Sequence, residues 1–190
     1  YIKGEFSIVF MLIAGLVTLW YTISFIKIKT GHLTLRRVPF LKLFLSASMW
    51  TLMTVSFRLL DNNFQGDYWL LIAERFLFVL SITIPFDIRD IKSDRAEGIR
   101  TFPIYYGVAF MKKISIYLML LFIAANIYGL IIEMHSVNQC LALIGSGLIT
   151  ILMLSRVNLS RKELFYTFGM ESMSILQFIL VYRSEERRVG

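Results

Sequence analysis

The chain has 190 residues, of which 57% are hydrophobic and only 17% charged. A soluble domain is closer to half apolar and a quarter charged, so this composition excludes an ordinary soluble domain and a disordered chain. One Cys and three Pro also exclude a disulfide scaffold and collagen. The net charge of +7 lies in short basic clusters between long apolar runs. Such a distribution is typical of an integral membrane protein and argues against a nucleic-acid partner.

Both ends of the chain are expected to be atypical. The sequence begins with Tyr1 and enters an apolar run almost at once, which predicts that it starts inside a longer protein. Residues 183–190 (Arg-Ser-Glu-Glu-Arg-Arg-Val-Gly) break sharply from the apolar stretch before them and are predicted to be a non-native tail, the alternative being a natural basic tail. The expected native part is one transmembrane domain over residues 1–182.

Long apolar stretches recur along the whole chain. A helix needs about 20 mostly apolar residues to cross a hydrocarbon core about 30 Å thick. The stretches also lack the two-residue alternation of barrel strands. The predicted fold is therefore all-α, a polytopic transmembrane helix bundle with six spans: Phe6–Ile28, Pro39–Leu60, Tyr68–Phe86, Ile114–Ile132, Val137–Ser155 and Glu163–Tyr182.

The loops between these spans alternate in charge. The first, third and fifth loops are rich in Lys and Arg, whereas the second is acidic and the fourth, Met134–Gln139, has neither Lys nor Arg. An excess of Lys and Arg marks cytoplasmic loops. The odd-numbered loops are thus predicted to be cytoplasmic, and the expected location is a bacterial plasma membrane.

The third loop contains three regularly spaced carboxylates, Asp87, Asp90 and Asp94, at positions i, i+3 and i+7. At about 100° per residue they fall within about 60° of one another on a helix. Carboxylates gathered on one face repel each other unless a cation neutralises them, and oxygen ligands favour Mg²⁺, Mn²⁺ or Ca²⁺ over zinc. The spacing predicts a metal site, with Mg²⁺ completing its shell with water and substrate phosphate.

Basic side chains suited to phosphate lie in the same loop: Arg89, Lys92, Arg95 and Arg100. Gly98 is expected to allow a turn close to a ligand, and Thr101 with Pro103 to begin the next helix. The alternative on composition is a solvated, charge-balanced loop that acts only as a positive-inside signal.

Several polar residues fall inside the predicted spans. Glu171 begins about 12 Å into its span and is expected either to line a cavity or to bond between helices. Arg58 and Glu74 are predicted near the same outer side, where they would form an ion pair. Asn126 and Gln177 are expected to donate hydrogen bonds between helices, the alternative being contacts with substrate.

The third loop resembles a known motif. Asp-x-x-Asp-x-x-x-Asp-Arg-x-x-Gly-x-Arg-Thr-Phe-Pro, from Asp87 to Pro103, is similar to the second aspartate-rich motif of the UbiA-type prenyltransferase superfamily. Upstream, Leu35-Arg-Arg-Val-Pro-Phe-Leu-Lys42 resembles the entry to a middle helix of that family. With the six predicted spans, the resemblance covers most of Tyr21 to Tyr182.

The resemblance implies a nine-helix bundle with a central cavity that opens to the cytoplasm. It further implies that Mg²⁺ binds an isoprenoid diphosphate. A lipophilic acceptor, which we expect to be aromatic, would then capture the prenyl group, as in quinone biosynthesis. By position, Asp90 and Asp94 are the implied catalytic metal ligands, with Asp87 as a third acidic member. Arg95, Arg100 and Lys92 are the implied diphosphate contacts.

Two family elements are not intact in this sequence. The first aspartate-rich motif, Asn-x-x-x-Asp-x-x-x-Asp, occurs nowhere in the 190 residues. Tyr21 and Lys27 stand six residues apart, where the family has Tyr-x-x-x-Lys. The chain alone is therefore expected to be inactive, and a degenerate UbiA-like protein that binds prenyl lipid or metal remains the alternative. A transporter is disfavoured because its carboxylates should lie near the bilayer midplane.

Overall fold

A computed structural model describes residues 12, 15, 16, 41–59, 67–96, 98, 101–159 and 163–189, except for the side chains at 41, 42, 56–59 and 184–189. The described part is helical and contains no strand, which confirms the all-α class. Its elements in chain order are α1 Leu41–Leu59, α2 Tyr68–Arg89, α3 Ile91–Ala96, α4 Phe102–Tyr106, α5 Val108–Ile131, α6 Val137–Ser155, a π-helical segment Phe165–Met170, and α7 Glu171–Val189.

Three of the described helices, α2, α5 and α6, are long and apolar enough to cross a membrane. They correspond to the third, fourth and fifth predicted spans, although α5 begins at Val108, six residues before the predicted start. The second predicted span, Pro39–Leu60, is helical from Leu41 to Leu59, and the part of this helix with described side chains, Leu43–Val55, is apolar. These helices indicate a membrane protein; six spans and a nine-helix fold stay predictions.

The remaining span predictions have mixed outcomes. Phe6–Ile28 lies outside the described residues apart from positions 12, 15 and 16. The predicted span Glu163–Tyr182 is divided between the π-helical segment and α7. The backbone of α7 stays helical to Val189, so the helix does not end at the predicted domain boundary at residue 182. That residues 183–190 are a non-native tail stays a prediction.

Helix α2 packs against both α1 and α5 and forms the centre of the described bundle. Asp67 begins it as the N-cap, because its carboxylate accepts hydrogen bonds from the backbone N–H groups of Trp69 (2.8 Å) and Leu70 (3.4 Å). Phe78 of α2 meets Phe122 of α5 with ring centroids 5.3 Å apart in the core. Helix α2, which ends at the aspartate-rich loop, is thus held firmly in the bundle.

Proline inside α2 is compensated by a neighbouring helix. Pro85 has no N–H, so the carbonyl of Ser81 loses its usual helical donor. The hydroxyl of Ser115 on α5 donates to this carbonyl at 2.6 Å, and the Ser81 hydroxyl donates to the Ser115 carbonyl at 2.8 Å. Both serines are buried, so this reciprocal pair satisfies backbone groups that have no access to water.

A tight turn joins α5 to α6. Glu133 takes a left-handed conformation (φ 60°), and Ser136 with Gln139 forms a capping box at the start of α6. The helices then approach closely at Gly147, where an added Cβ would lie 2.9 Å from Ile123. Gly147 therefore makes the close helix contact, whereas a Cβ at Gly145 would have no described neighbour within 4 Å.

Candidate functional site

The three predicted metal-ligand aspartates lie along one nearly continuous helical path. Asp87 is in the last turn of α2, Asp90 is its C-cap, and Asp94 is in α3. The helical bond pattern continues across the junction, since Asp90 N–H donates to the Phe86 carbonyl at 3.0 Å and Asp94 N–H to the Asp90 carbonyl at 2.9 Å. The backbone therefore has the helical register that the i, i+3, i+7 spacing predicts.

A large cavity lies between α1, α2 and α7. Its volume is about 1400 Å³. The wall at the end of α2 includes Asp87, Arg89 and Asp90. Arg75 also lines the cavity, about 18 Å from Asp87 by helical rise. Apolar side chains form most of the remaining wall, among them Met49, Trp50, Phe78, Ile82, Phe86, Ile175 and Phe178. The cavity is thus elongated and apolar, with its carboxylates concentrated towards one end.

The predicted acidic residues differ in their relation to this cavity. Asp87 is buried and Asp90 is half-buried, and both line the cavity. Asp94 is buried (5% exposed) but does not line it. Glu171, the predicted cavity residue, does line it and is exposed. The structure therefore brings Asp87, Asp90 and Glu171 to one cavity and keeps Asp94 in the packing of α3.

Arg89 is the basic residue most closely tied to the acidic end. Its Nε lies 2.7 Å from Asp90 Oδ1 and its second terminal nitrogen 3.4 Å from Oδ2, so the guanidinium faces both carboxylate oxygens. The guanidinium also lies 5.3 Å from the ring centroid of Phe86. The two charged side chains are each less than a third exposed. One carboxylate of the predicted metal site is therefore already neutralised by a neighbouring cation.

The predicted diphosphate contacts have no described place in the cavity wall. Lys92 and Arg95 are exposed on α3 and do not line the cavity, and Arg100 lies outside the described residues. The turn after α3 follows the prediction, because Gly98 has a positive φ of 69°. Thr101 then serves as the N-cap of α4, and Pro103 stands in its first turn.

The carboxylate oxygens at the acidic end of the cavity could form part of the coordination shell of a magnesium ion. Mg²⁺ typically binds one or two carboxylates and keeps water and substrate phosphate as its other ligands, a set that Asp87 and Asp90 would begin. Among the described residues, no group of three or more His, Cys, Asp and Glu side chains is close enough to hold a metal by itself. Any ion at this end of the cavity would therefore need further ligands.

A second polar pair, on a different face of α2, was missed by the sequence reasoning. Glu74 faces His135, whose Nε2 lies 2.9 Å and 3.1 Å from its two carboxylate oxygens. Its predicted pairing with Arg58 stays a prediction. The side chain of Arg58 lies outside the described ones. Gly129 of α5 leaves the space for the imidazole. The sequence did contain a feature that indicates this pair, because Glu74 and His135 are both predicted near the outer surface of the membrane.

The polar residues predicted to bond between helices give two results. Gln177 makes the predicted interhelical bond as an acceptor rather than a donor, because its side-chain oxygen accepts a hydrogen bond from Arg75 at 2.9 Å and so joins α7 to α2. Asn126 differs, because its amide donates to the Phe122 carbonyl at 2.7 Å within α5. The backbone carbonyl of Asn126 in turn accepts from the buried thiol of Cys140 on α6 at 3.5 Å. The cysteine therefore packs between helices.

The fold and the cavity define a helical membrane protein with an apolar cavity and an acidic end. Comparison of the chain with protein-family models, curated proteins and solved structures finds no match. The assignment of function consequently depends on the motif and on the position of its residues.

Proposed function

We propose that this protein is a UbiA-like membrane prenyltransferase of the bacterial plasma membrane, with the aspartate-rich loop on the cytoplasmic side. It would transfer a polyprenyl group from its diphosphate to a lipophilic acceptor, with Mg²⁺ as cofactor. We expect the acceptor to be aromatic. The observation that carries the proposal is that Asp87 and Asp90 of the motif line an apolar cavity of about 1400 Å³. An enzyme of this class needs a charged end for a diphosphate and an apolar space for its prenyl chain.

The proposed roles follow from the chemistry of the wall. Asp87 and Asp90 would hold the metal ion through carboxylate oxygens, with Asp94 as the further ligand that the motif implies. When bound, Mg²⁺ supplies Lewis-acid stabilisation of the negative charge that develops on the departing diphosphate. By the motif, Lys92, Arg95 and Arg100 would contact diphosphate oxygens.

The apolar wall would protect the reaction from water. Ile82, Phe86 and Phe178 line the cavity beside its polar residues, and side chains of this kind exclude water and accommodate an isoprenoid chain. The faces of the two phenylalanine rings also attract positive charge, which suits a cationic prenyl group. Glu171 lies in the same wall and is the residue we expect to contact the polar part of the acceptor.

The test uses the full-length protein reconstituted in lipid nanodiscs. Farnesyl diphosphate labelled in the prenyl group is supplied with Mg²⁺ and a panel of aromatic acceptors, and prenylated product is separated by chromatography. Asp90→Asn and Asp87→Asn should reduce turnover by at least about 100-fold, because each removes a charged ligand from the metal site. Lys113→Gln is the matched control, since Lys113 is exposed on α5 and does not line the cavity.

The result that would contradict the assignment is turnover in Asp90→Asn equal to that of the wild-type protein, with equal amounts in the membrane.

The second candidate, a non-catalytic member that binds prenyl lipid or metal, is favoured by one observation. Within the described ranges no three metal-ligating side chains meet. Saturable binding of farnesyl thiolodiphosphate without turnover on any acceptor would select this candidate.

A further inference from the structure

The ion pair between Arg89 and Asp90 lies where the proposed metal ion would bind. Guanidinium nitrogens of Arg89 face both oxygens of the Asp90 carboxylate, at 2.7 Å and 3.4 Å. The same two side chains line the cavity. A divalent cation bound to the Asp90 oxygens would lie close to the guanidinium, and the repulsion between the two positive charges would weaken the ion pair. Occupation of Asp90 by a metal therefore favours a position of the Arg89 side chain away from the carboxylate.

The displaced guanidinium would remain at the end of the cavity. Arg89 immediately precedes Asp90 in the chain, so its backbone stays in place while its side chain changes rotamer. The ring of Phe86, whose centroid lies 5.3 Å from the guanidinium carbon, offers an adjacent surface for the cation. Once released, the planar group presents its N–H donors in a fork that matches phosphate oxygens.

We infer that Arg89 is the resident counter-cation of Asp90, that a divalent cation displaces it, and that the freed guanidinium then binds the diphosphate. This role rests on the proposed function and adds to it a coupling between two ligands. Because metal binding releases the arginine that the diphosphate needs, each ligand should increase the affinity of the protein for the other. Linkage requires the two increases to be equal.

The experiment measures Mn²⁺ binding by electron paramagnetic resonance, with and without inorganic pyrophosphate, on the full-length protein in phosphatidylcholine nanodiscs. In Arg89→Gln the competing cation is absent, so Mn²⁺ alone should bind up to about fivefold more tightly, as for release of a partly exposed ion pair. At equal concentrations of free Mn²⁺, after correction for the Mn²⁺–pyrophosphate complex in solution, pyrophosphate should tighten Mn²⁺ binding in the wild-type protein and have a much smaller effect in Arg89→Gln.

Two further variants separate geometry from net charge. Arg89→Lys keeps the charge and loses the planar fork, so it should bind Mn²⁺ like the wild-type protein and show weaker coupling to pyrophosphate. Lys113→Gln removes one positive charge from an exposed position outside the cavity wall and should leave both Mn²⁺ affinity and coupling unchanged. Equal thermal unfolding temperatures would establish that all variants are folded.

The outcomes distinguish this inference from the function on which it rests. If Asp90→Asn lowers Mn²⁺ affinity but Arg89→Gln leaves affinity and coupling at wild-type values, the exchange role of Arg89 is overturned and the metal site stands. If Asp90→Asn binds Mn²⁺ as well as the wild-type protein does, the metal site itself is overturned. Tighter Mn²⁺ binding in Arg89→Gln with lost coupling supports the exchange.

Discussion

Replacement of Gly129 by Ala should destabilise the protein, although alanine is the better helix former. Gly129 is buried in α5, where an added Cβ would lie 2.5 Å from His135 Cδ2, 2.9 Å from His135 Nε2 and 3.3 Å from a Glu74 carboxylate oxygen. The first two distances are shorter than real Cβ contacts, so the imidazole must shift. A shift of that kind breaks its bonds of 2.9 Å and 3.1 Å with Glu74.

The size of the effect follows from two opposing terms. Alanine in place of glycine inside a helix gains about 0.5–1 kcal/mol. Leaving the Glu74 carboxylate, which is 3% exposed, without its hydrogen-bond partner costs about 3 kcal/mol, the upper end of the range for a buried acceptor left unsatisfied. The net expectation is a loss of about 2 kcal/mol in the free energy of unfolding.

The assay is equilibrium unfolding in mixed detergent micelles, followed by circular dichroism. Gly145→Ala is the matched control, because a Cβ at that position of α6 meets no described atom within 4 Å, and it should stabilise by about 0.5 kcal/mol. Gly129→Ala in a His135→Ala background should also be neutral or stabilising, since no imidazole is left to displace. An equal loss of stability in both backgrounds would refute the steric explanation.

Three other substitutions test the contacts that hold the site in place. Ser115→Ala should cost about 1–2 kcal/mol of unfolding free energy, because it leaves the carbonyl of Ser81 without a donor. In a Pro85→Ala background, where residue 85 regains its N–H, the same change should cost clearly less, and an unchanged cost would contradict this account. Glu74→Gln should lower the yield of folded protein in the membrane while the Mn²⁺ affinity stays at its wild-type value; selective loss of Mn²⁺ binding would show that the residue belongs to the metal site. Gly147→Leu should destabilise by more than about 1 kcal/mol, because even a Cβ there would lie 2.9 Å from a side chain of α5, and an unchanged unfolding midpoint would show that α5 and α6 can separate without cost.

Much of the local structure was predictable because its causes lie within a few residues. Hydropathy alone located α2, α5 and α6, since a long apolar run has few alternatives to a buried or lipid-facing helix. The conformation of Gly98 follows from the freedom of glycine to take a positive φ. The helical register of Asp87, Asp90 and Asp94 likewise follows from chain geometry.

Other features could not be predicted because they depend on which helices meet. A spacing of seven residues places three carboxylates on one helical side, but it does not say which of them faces a cavity and which packs inside. Asp87 and Asp90 line the cavity because α1 and α7 flank the end of α2, whereas Asp94 is buried. The partner of Glu74 could not be chosen from charge alone, because Arg58 and His135 are both predicted near the outer side.

The amino-acid pattern was enough to predict a helical membrane protein, the position of its long apolar helices, and the loop whose aspartates and basic residues suggest the proposed site. Those conclusions depend on composition and on neighbours along the chain. Only the tertiary structure decided that Glu171 shares a cavity with Asp87, that Arg89 occupies the carboxylate of Asp90, and that Ser115 compensates for Pro85. Each of these contacts depends on the distance between side chains and on which faces of two helices meet. Hydropathy is a property of single residues and carries no information on either.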